Sequence, residues 1–169
     1  MPKSNLPLIE KENLRLRLLE RSDLPTTLNW RNKANIRKWF VHSDPISWEE
    51  HQNWFEKYRE DENDYVFIIE EKGVFNKSIG QISLYNIDRA NNRGELGRLM
   101  VGEEEARGKG LAKKATRLLV GIAFNNFLMK ELYLNVFKNN YPAIHIYEQC
   151  GFKKVKKVDN MLEMNLFKN

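Results

Sequence analysis

Residues 94–127, GELGRLMVGEEEARGKGLAKKATRLLVGIAFNNF, constrain the fold more than any other part of the chain. The apolar run 94–101 predicts a strand, and apolar residues at helical spacing from Leu111 to Ile122 predict one long helix over 108–127. The loop between them brings an arginine and glycines to the start of that helix. Backbone N–H groups are free at a helix start and the helix dipole is positive there, so the segment predicts an anion site. The alternative is a turn that merely precedes a charged helix.

The flanking segments predict a mixed α+β arrangement around one central sheet. Apolar alternation and short apolar runs predict strands over 14–19, 64–71, 78–87, 131–137, 151–158 and 161–167. Helical patterns cover 21–40, 47–60 and 140–150. Ser47 and Glu50 have the spacing of a capping box, and Asp159 with Asn160 predicts a hairpin turn. No linker or repeat divides the chain, so we expect a single domain over 1–169.

Composition excludes several other classes of protein. The 169 residues include 28 basic and 23 acidic side chains, and the net charge of +5 favours anionic ligands without indicating nucleic acid. Cys150 is the single cysteine, so an internal disulfide is excluded and a reducing compartment fits. No apolar run approaches the ~20 residues of a membrane span and no signal peptide is evident, so we expect a cytoplasmic location. The histidines and the cysteine lack ligand spacing, so we expect no metal.

Two well-known phosphate-binding motifs do not fit the loop. A Walker A motif needs a glycine at position 103 and a hydroxyl residue at position 110, where the chain has Glu103 and Gly110. A dinucleotide fingerprint would end on a glycine where the chain has Lys113. The pattern that is left, Arg107-x-x-Gly110-x-Ala112 between a strand and a helix, favours a diphosphate ligand.

The chain resembles the GNAT superfamily of N-acetyltransferases over nearly its whole length. The resemblance rests on Arg107-x-x-Gly110-x-Ala112 and on the later segment NVFKNNYPAIHIYEQCGF. It implies a GNAT fold, with a mostly antiparallel, twisted sheet of about seven strands flanked by about four helices. The fourth and fifth strands, 95–101 and 131–137, would splay apart to hold acetyl-CoA. The cofactor-binding residues that the resemblance implies are Leu99, Met100, Val101, Arg107, Gly108, Lys109, Gly110, Leu111, Ala112, Asn140 and Tyr147.

Tyr147 and Glu95 are the predicted catalytic residues for acetyl transfer. By the resemblance, Asn140 hydrogen-bonds the pantetheine arm, and Tyr147, on the same helix face, protonates the departing thiolate. Glu95 is the predicted base for the amine proton, directly or through water. A backbone N–H at 99–101 would stabilise the oxyanion, where Gly97 would permit a bulge. The structural alternatives are an N-cap for Asn140, a core aromatic for Tyr147 and a solvated carboxylate for Glu95.

The first helices resemble those of acetyltransferases that act on nucleotide-linked amino sugars. In that interpretation arginine binds phosphate and tryptophan covers a sugar or base ring, although tryptophans at helical spacing also suit a core. The predicted acceptor-binding residues are Trp30, Arg31, Asn32, Arg37, His51 and Trp54. Polyamine and ribosomal-protein N-terminal acetyltransferases are the rival interpretation. The tight turn at 159–160 counts against both of these rivals, and the positive net charge counts against a cationic polyamine.

Acetyl-CoA and a small amine acceptor are therefore the predicted partners. We expect neither nucleic acid nor a membrane as a partner, and either a monomer or a homodimer. The lysines between 153 and 157 predict a solvated strand edge rather than a nucleic-acid stripe. The alternative from another class is a non-catalytic CoA-binding or nucleic-acid-binding module with the same fold.

Overall fold

The computed structural model describes residues 3, 6 and 8–169 and contains one mixed sheet with helices on both faces. The strands are β1 (Ile9–Lys11), β2 (Leu14–Leu18), β3 (Tyr65–Glu71), β4 (Lys77–Asp88), β5 (Arg93–Val101), β6 (Glu131–Phe137), β7 (Lys153–Val158) and β8 (Met161–Phe167). The helices are α1 (Leu24–Arg31), α2 (Ala34–Arg37), α3 (Trp48–Glu60), α4 (Leu111–Asn125) and α5 (Tyr141–Gln149).

The sheet order is β1-β2-β3-β4-β5-β6-β8-β7, and every neighbouring pair is antiparallel except β5 and β6. The described residues thus contain eight strands where the sequence predicts about seven. The additional strand is β1, whose three residues are too few to show a periodic pattern. The predicted two-residue hairpin turn at 159–160 lies between β7 and β8 as expected.

The helix predicted over 21–40 is divided in two. After α1 ends, Lys33 adopts an extended conformation (φ −64°, ψ 133°) and α2 begins at Ala34. The Asn32 amide explains the break, because it donates to the Ile46 carbonyl and accepts from the Ile46 N–H, both at 2.8 Å. A distant loop therefore ends α1 at a position where the local pattern alone predicts that the helix continues.

The parallel strands β5 and β6 separate along their length. Their pairing covers only the three residues from Arg93 to Glu95 and the three from Glu131 to Tyr133. Beyond Glu95 and Tyr133 the two strands diverge, so the backbone edges of residues 96–101 and 134–137 face a gap. This is the splay that the sequence predicts between 95–101 and 131–137.

Strand β3 is buried on both faces, and its alternate side chains belong to two separate hydrophobic cores. Tyr65, Phe67 and Ile69 belong to the larger core, which α4 covers. Val66 and Ile68 point the opposite way and pack with apolar residues of α1 and α3. Both faces of the sheet are thereby covered at β3.

Helix α3 begins with the predicted capping box. The Ser47 hydroxyl accepts from the Glu50 N–H at 3.1 Å, and the Glu50 carboxylate accepts from the Ser47 N–H at 2.9 Å. We expect Ser47→Ala to lower the free energy of unfolding by about 1 kcal/mol, because one helix N–H loses its partner. Urea unfolding measures the change, with Ser43→Ala in the exposed preceding loop as the control. Equal stability of the two variants would contradict the capping role.

Candidate active site

A cleft of about 360 Å³ opens where β5 and β6 diverge. Its walls are α2 and residues 39–41, Tyr85 of β4, residues 97–101 of β5, residues 135–137 of β6, and the α5 residues Ala143 and Tyr147 with the preceding Asn140. A somewhat larger cavity of about 410 Å³ lies between β1 and α4, but it contains none of the predicted site residues. Since the predicted chemistry converges on the gap between the strands, the cleft is the candidate active site.

The loop before α4 has the geometry of an anion site. Gly108 and Gly110 have φ of +71° and +77°, which side-chain-bearing residues rarely adopt, and a Cβ on either would meet no protein atom within 4 Å. Gly110 is the N-cap of α4 without any side-chain cap, and its carbonyl accepts from the Lys114 N–H at 3.2 Å. The N–H groups of residues 111–113 precede this first helical bond, so they are available to a diphosphate beside the loop.

Two basic residues of the loop lie on different sides of it. Arg107 lines the cleft, and its Nε donates to the Val101 carbonyl at 3.0 Å, which ties the loop to the end of β5. Lys109 instead lines a separate cavity of about 500 Å³ together with Lys114 and Phe75. The predicted cofactor residues 107–112 therefore lie between two cavities, with Arg107 on the side of the diverging strands.

Strand β5 contains the predicted bulge, at a residue that the sequence did not single out. Gln81 pairs with Met100 and Ser83 with Gly97, so Arg98 and Leu99 together lie opposite Ile82. The residue with left-handed backbone is Arg98, with φ +51°, and not Gly97. Such a bulge turns backbone groups out of the ladder, here toward the cleft that residues 97–101 line.

Gly97, which borders the bulge, also leaves room for the Tyr85 side chain. A Cβ at this position would lie 2.9 Å from the Tyr85 Oη, so a larger residue would have to displace the Tyr85 hydroxyl. The Tyr85 hydroxyl then donates to Glu95 Oε2 at 2.8 Å. Sequence analysis missed Tyr85, because no local pattern reveals which residue on β4 will lie against a glycine on β5.

Glu95 lies at the base of the split, as the last β5 residue that pairs with β6. Besides the Tyr85 hydroxyl, its carboxylate accepts from Asn86 Nδ2 at 3.0 Å and from Asn135 Nδ2 at 3.5 Å. Glu95 is half-buried and held by donors from both neighbouring strands, unlike a freely solvated strand-end carboxylate. Its position at the base of the split is where a base for the acceptor amine is needed.

Tyr147 and Asn140 both line the cleft. Tyr147 is buried, its ring packs edge-to-face against Phe152, and burial raises the pKa of its hydroxyl far above the ordinary value. The group therefore stays protonated and can donate. Asn140 is also the N-cap of α5, where its Oδ1 accepts from the Ala143 N–H at 3.3 Å. Asn140 therefore both caps α5 and lines the cleft.

None of the six predicted acceptor residues is among the residues that line the cleft. Trp30 lies in the core, and a Cβ on Gly102 would come within 2.0 Å of its ring. The Asn32 side-chain amide is hydrogen-bonded to the backbone of Ile46. His51 is buried, bonds to the Thr27 hydroxyl at 3.0 Å and stacks on Trp54 at 5.6 Å. Contacts within the protein thus explain the positions of Trp30, Asn32, His51 and Trp54. Their roles in binding an acceptor stay predictions.

Arg31 and Arg37 lie behind the cleft wall. Arg31 donates to the His42 carbonyl, and its guanidinium covers the Phe40 ring, with Cζ 4.1 Å from the ring centroid. Phe40 itself lines the cleft, as do Trp39 and Val41. Sequence analysis included the RKWF segment in a helix and missed these three residues, because the division of the helix at Lys33 sets which side chains reach the cleft.

Two classes of feature are absent from the part of the chain that the structure describes. In residues 3, 6 and 8–169, no group of three or more His, Cys, Asp or Glu side chains could hold a metal ion. The helices over the same residues all fall short of the length and apolar composition needed to cross a bilayer.

Comparison with known proteins connects this geometry to one family. The model of the acetyltransferase (GNAT) domain matches residues 13–153, which include both diverging strands, the loop before α4 and α5. The spermidine N(1)-acetyltransferase of Escherichia coli K12 is 30% identical over 140 residues, covering 83% of this chain and 73% of that protein. The uncharacterized protein MJ1062 of Methanocaldococcus jannaschii is 28% identical over 149 residues, and the chain spans only 30% of its length.

A solved structure shares the same architecture. The spermidine N-acetyltransferase from Vibrio cholerae, in complex with CoA and spermine, superposes with a TM-score of 0.84 at 24% identity and covers 93% of this chain and 96% of that chain. At this identity the likeness concerns the fold, and the predicted sheet with a splay between two strands is confirmed. Because the family model matches residues 13–153, which is most of the chain, the chain belongs to the GNAT family of acetyltransferases.

Proposed function

We propose that this acetyltransferase moves the acetyl group of acetyl-CoA to a primary amine, and that a polyamine is the acceptor. The observation that carries the proposal is the cleft between β5 and β6, which has an anion site at one end and both Glu95 and Tyr147 beside it. The diphosphate of CoA would lie on the N–H groups of residues 111–113, with the pantetheine arm along β5.

The chemistry follows from the positions of three groups. Glu95 takes a proton from the ammonium of the acceptor, because only the free amine is nucleophilic. The amine nitrogen attacks the thioester carbonyl, and a backbone N–H of the bulge at 98–101 stabilises the resulting oxyanion. The C–S bond then breaks, and the thiolate takes the proton of the Tyr147 hydroxyl. The nitrogen, which still carries one extra proton, loses it to solvent as the amide forms. Solvent returns a proton to the Tyr147 oxygen and Glu95 releases the proton that it took, so the net products are the amide, free CoA and one proton.

The relatives favour the polyamine alternative over the nucleotide-linked amino sugar that the sequence predicts. The sequence argument against polyamines used the net charge of +5, but local charge decides what a site binds. Beside the split, two half-buried carboxylates lie on either side of β6, Glu95 on β5 and Glu163 on β8, and Asn135 of β6 is the register partner of Glu163. Two carboxylates can attract an acceptor with several ammonium groups.

One observation favours a phosphate-bearing amine as a second candidate. The Arg31 Nη1 and Arg37 Nε atoms are buried and lack a hydrogen-bond partner among the described residues. Burial, followed by the charge of Arg37, lowers the pKa of Arg31. Buried unpaired donors are costly, and a phosphate near Phe40 would satisfy them. A nucleotide-linked amino sugar carries such a group.

An acceptor panel with two charge variants separates the candidates. We expect the highest kcat/KM with spermidine or spermine, and Glu163→Gln should raise the polyamine KM about fivefold, roughly 1 kcal/mol for a half-exposed charge contact. Glu49→Gln, an exposed carboxylate on α3, is the matched control, and Arg31→Gln should leave the polyamine KM unchanged. Faster turnover of a nucleotide-linked amino sugar, with its KM raised by Arg31→Gln, would select the second candidate instead.

A further inference from the structure

Four side chains form a continuous chain of contacts that ends on the candidate base. Asp64, which immediately precedes β3, accepts from Arg98 NH1 at 2.8 Å. The Arg98 guanidinium lies over the Tyr85 ring, with Cζ 4.1 Å from the ring centroid. The Tyr85 hydroxyl donates to Glu95 Oε2 at 2.8 Å. The series consists of an ion pair, a cation–π contact and a hydrogen bond, and it runs across β3, β4 and β5.

Two backbone positions of β5 allow this series of contacts. Arg98 has φ +51°, a conformation that an L-residue with a side chain adopts only when its surroundings demand it. In this conformation Arg98 forms the bulge and its side chain reaches both Asp64 and Tyr85. Gly97 leaves the space that the Tyr85 hydroxyl needs to reach Glu95. Two unusual backbone positions thus serve one set of side-chain contacts.

We propose that Tyr85 and Arg98 are positioning residues, which hold the Glu95 carboxylate at the base of the split and tie it to the β5 bulge. The base and the backbone N–H groups of the bulge then keep a constant separation, although they belong to different parts of the strand. The inference rests on the proposed role of Glu95 as the base for the amine proton. It assigns a function to two residues whose local sequence pattern indicates none.

The surroundings of Glu95 keep Tyr85 a donor. Burial first, and then the charge of Glu95, raises the pKa of the Tyr85 hydroxyl far above its ordinary value, so the hydroxyl stays protonated. Tyr133 on β6 also hydrogen-bonds this carboxylate, and the charges of Arg93 and Glu163 act on Tyr133. Arg98 and Tyr147 act on the Tyr85 hydroxyl.

A double-mutant cycle on the full chain tests whether Tyr85 acts through Glu95. The four enzymes are the wild type, Tyr85→Phe, Glu95→Gln and the double variant, each assayed for kcat at saturating acetyl-CoA and acceptor. We expect Glu95→Gln to lower kcat about 10²-fold and Tyr85→Phe about tenfold, with acetyl-CoA KM unchanged. In the Glu95→Gln background, Tyr85→Phe should change kcat less than twofold, because nothing is left to position.

Each outcome of the cycle has one meaning. The same tenfold loss in both backgrounds would overturn the inference, since Tyr85 would then act independently of Glu95. Normal kcat in Glu95→Gln would overturn the base role on which the inference rests, while acetyl transfer itself would still be observed. Tyr58→Phe is the structural control: it also removes a buried hydroxyl, which bonds to Val66, and should lower stability without lowering kcat.

A second variant separates the Arg98 side chain from the bulge that it forms. Asparagine tolerates the left-handed backbone, and Asp64→Asn removes the carboxylate that would otherwise lose its partner, so Asp64→Asn/Arg98→Asn should fold. We expect it to lower kcat about fivefold by loosening Tyr85 and Glu95, and to have no further effect in the Tyr85→Phe background. Unchanged kcat in this folded variant would remove Arg98 from the proposal.

Discussion

Replacing Tyr147 with phenylalanine is expected to lower kcat by about 10² to 10⁴-fold while the KM for acetyl-CoA changes little. The change keeps the ring that packs against Phe152 and removes only the hydroxyl, so the fold and the cleft should persist. The hydroxyl is the proton donor that we assign to the thiolate. Because burial raises its pKa, the wild-type enzyme should lose no activity through Tyr147 deprotonation below about pH 10.

Steady-state kinetics over a range of pH measures this effect. Thermal unfolding of Tyr147→Phe should confirm that the variant is folded, and Tyr58→Phe again serves as the control for loss of a buried hydroxyl outside the cleft. A kcat within about threefold of the wild type would mean that solvent protonates the thiolate and that Tyr147 is structural.

The second large effect is expected at Gly110. An aspartate there should weaken acetyl-CoA binding by about 10 to 100-fold, which corresponds to about 1.4 to 2.8 kcal/mol. A Cβ on Gly110 would meet no protein atom within 4 Å, so the added carboxylate has room beside the free N–H groups of α4. Its negative charge would repel the diphosphate and neutralise the positive end of the helix.

Gly110→Asn is the matched control for this experiment. Asparagine has the same shape as aspartate and tolerates the left-handed backbone, so the two variants carry similar conformational strain. Isothermal titration of acetyl-CoA should give weaker binding to the aspartate variant than to the asparagine variant, and the difference should shrink at high salt. Equal affinities of the folded aspartate variant and the wild type would place the diphosphate elsewhere.

Local patterns were enough to predict most of the elements and the frame of the candidate site. The capping box at Ser47 and the two-residue turn at 159–160 depend only on neighbouring residues, and both are present in the structure. The loop before α4 depends on glycine conformations and on the free N–H groups of a helix start, which are also local. The helix predicted from residue 108 begins at Leu111, because Gly108 and Gly110 adopt positive φ.

Contacts between residues distant in the chain decided what these patterns could not. The sequence interpretation of Trp30 as an acceptor residue competes with a core position, and the structure places the indole in the core, in space that Gly102, far along the chain, leaves free. Likewise, the bonds between Asn32 and Ile46 end α1 and set which side chains of the next residues reach the cleft.

The sequence by itself determined the class of fold, because periodicity, capping and glycine conformations act over a few residues, and its two motifs carried the resemblance to the family that the family model confirms. Tertiary structure decided how Glu95 is held. The Tyr85 hydroxyl, the left-handed Arg98 and the anchoring Asp64 come from different strands or strand ends, and they meet only when β3, β4 and β5 pair in register. A strand residue's own pattern shows which face it takes, whereas its partner across the sheet depends on the register and on the bulge.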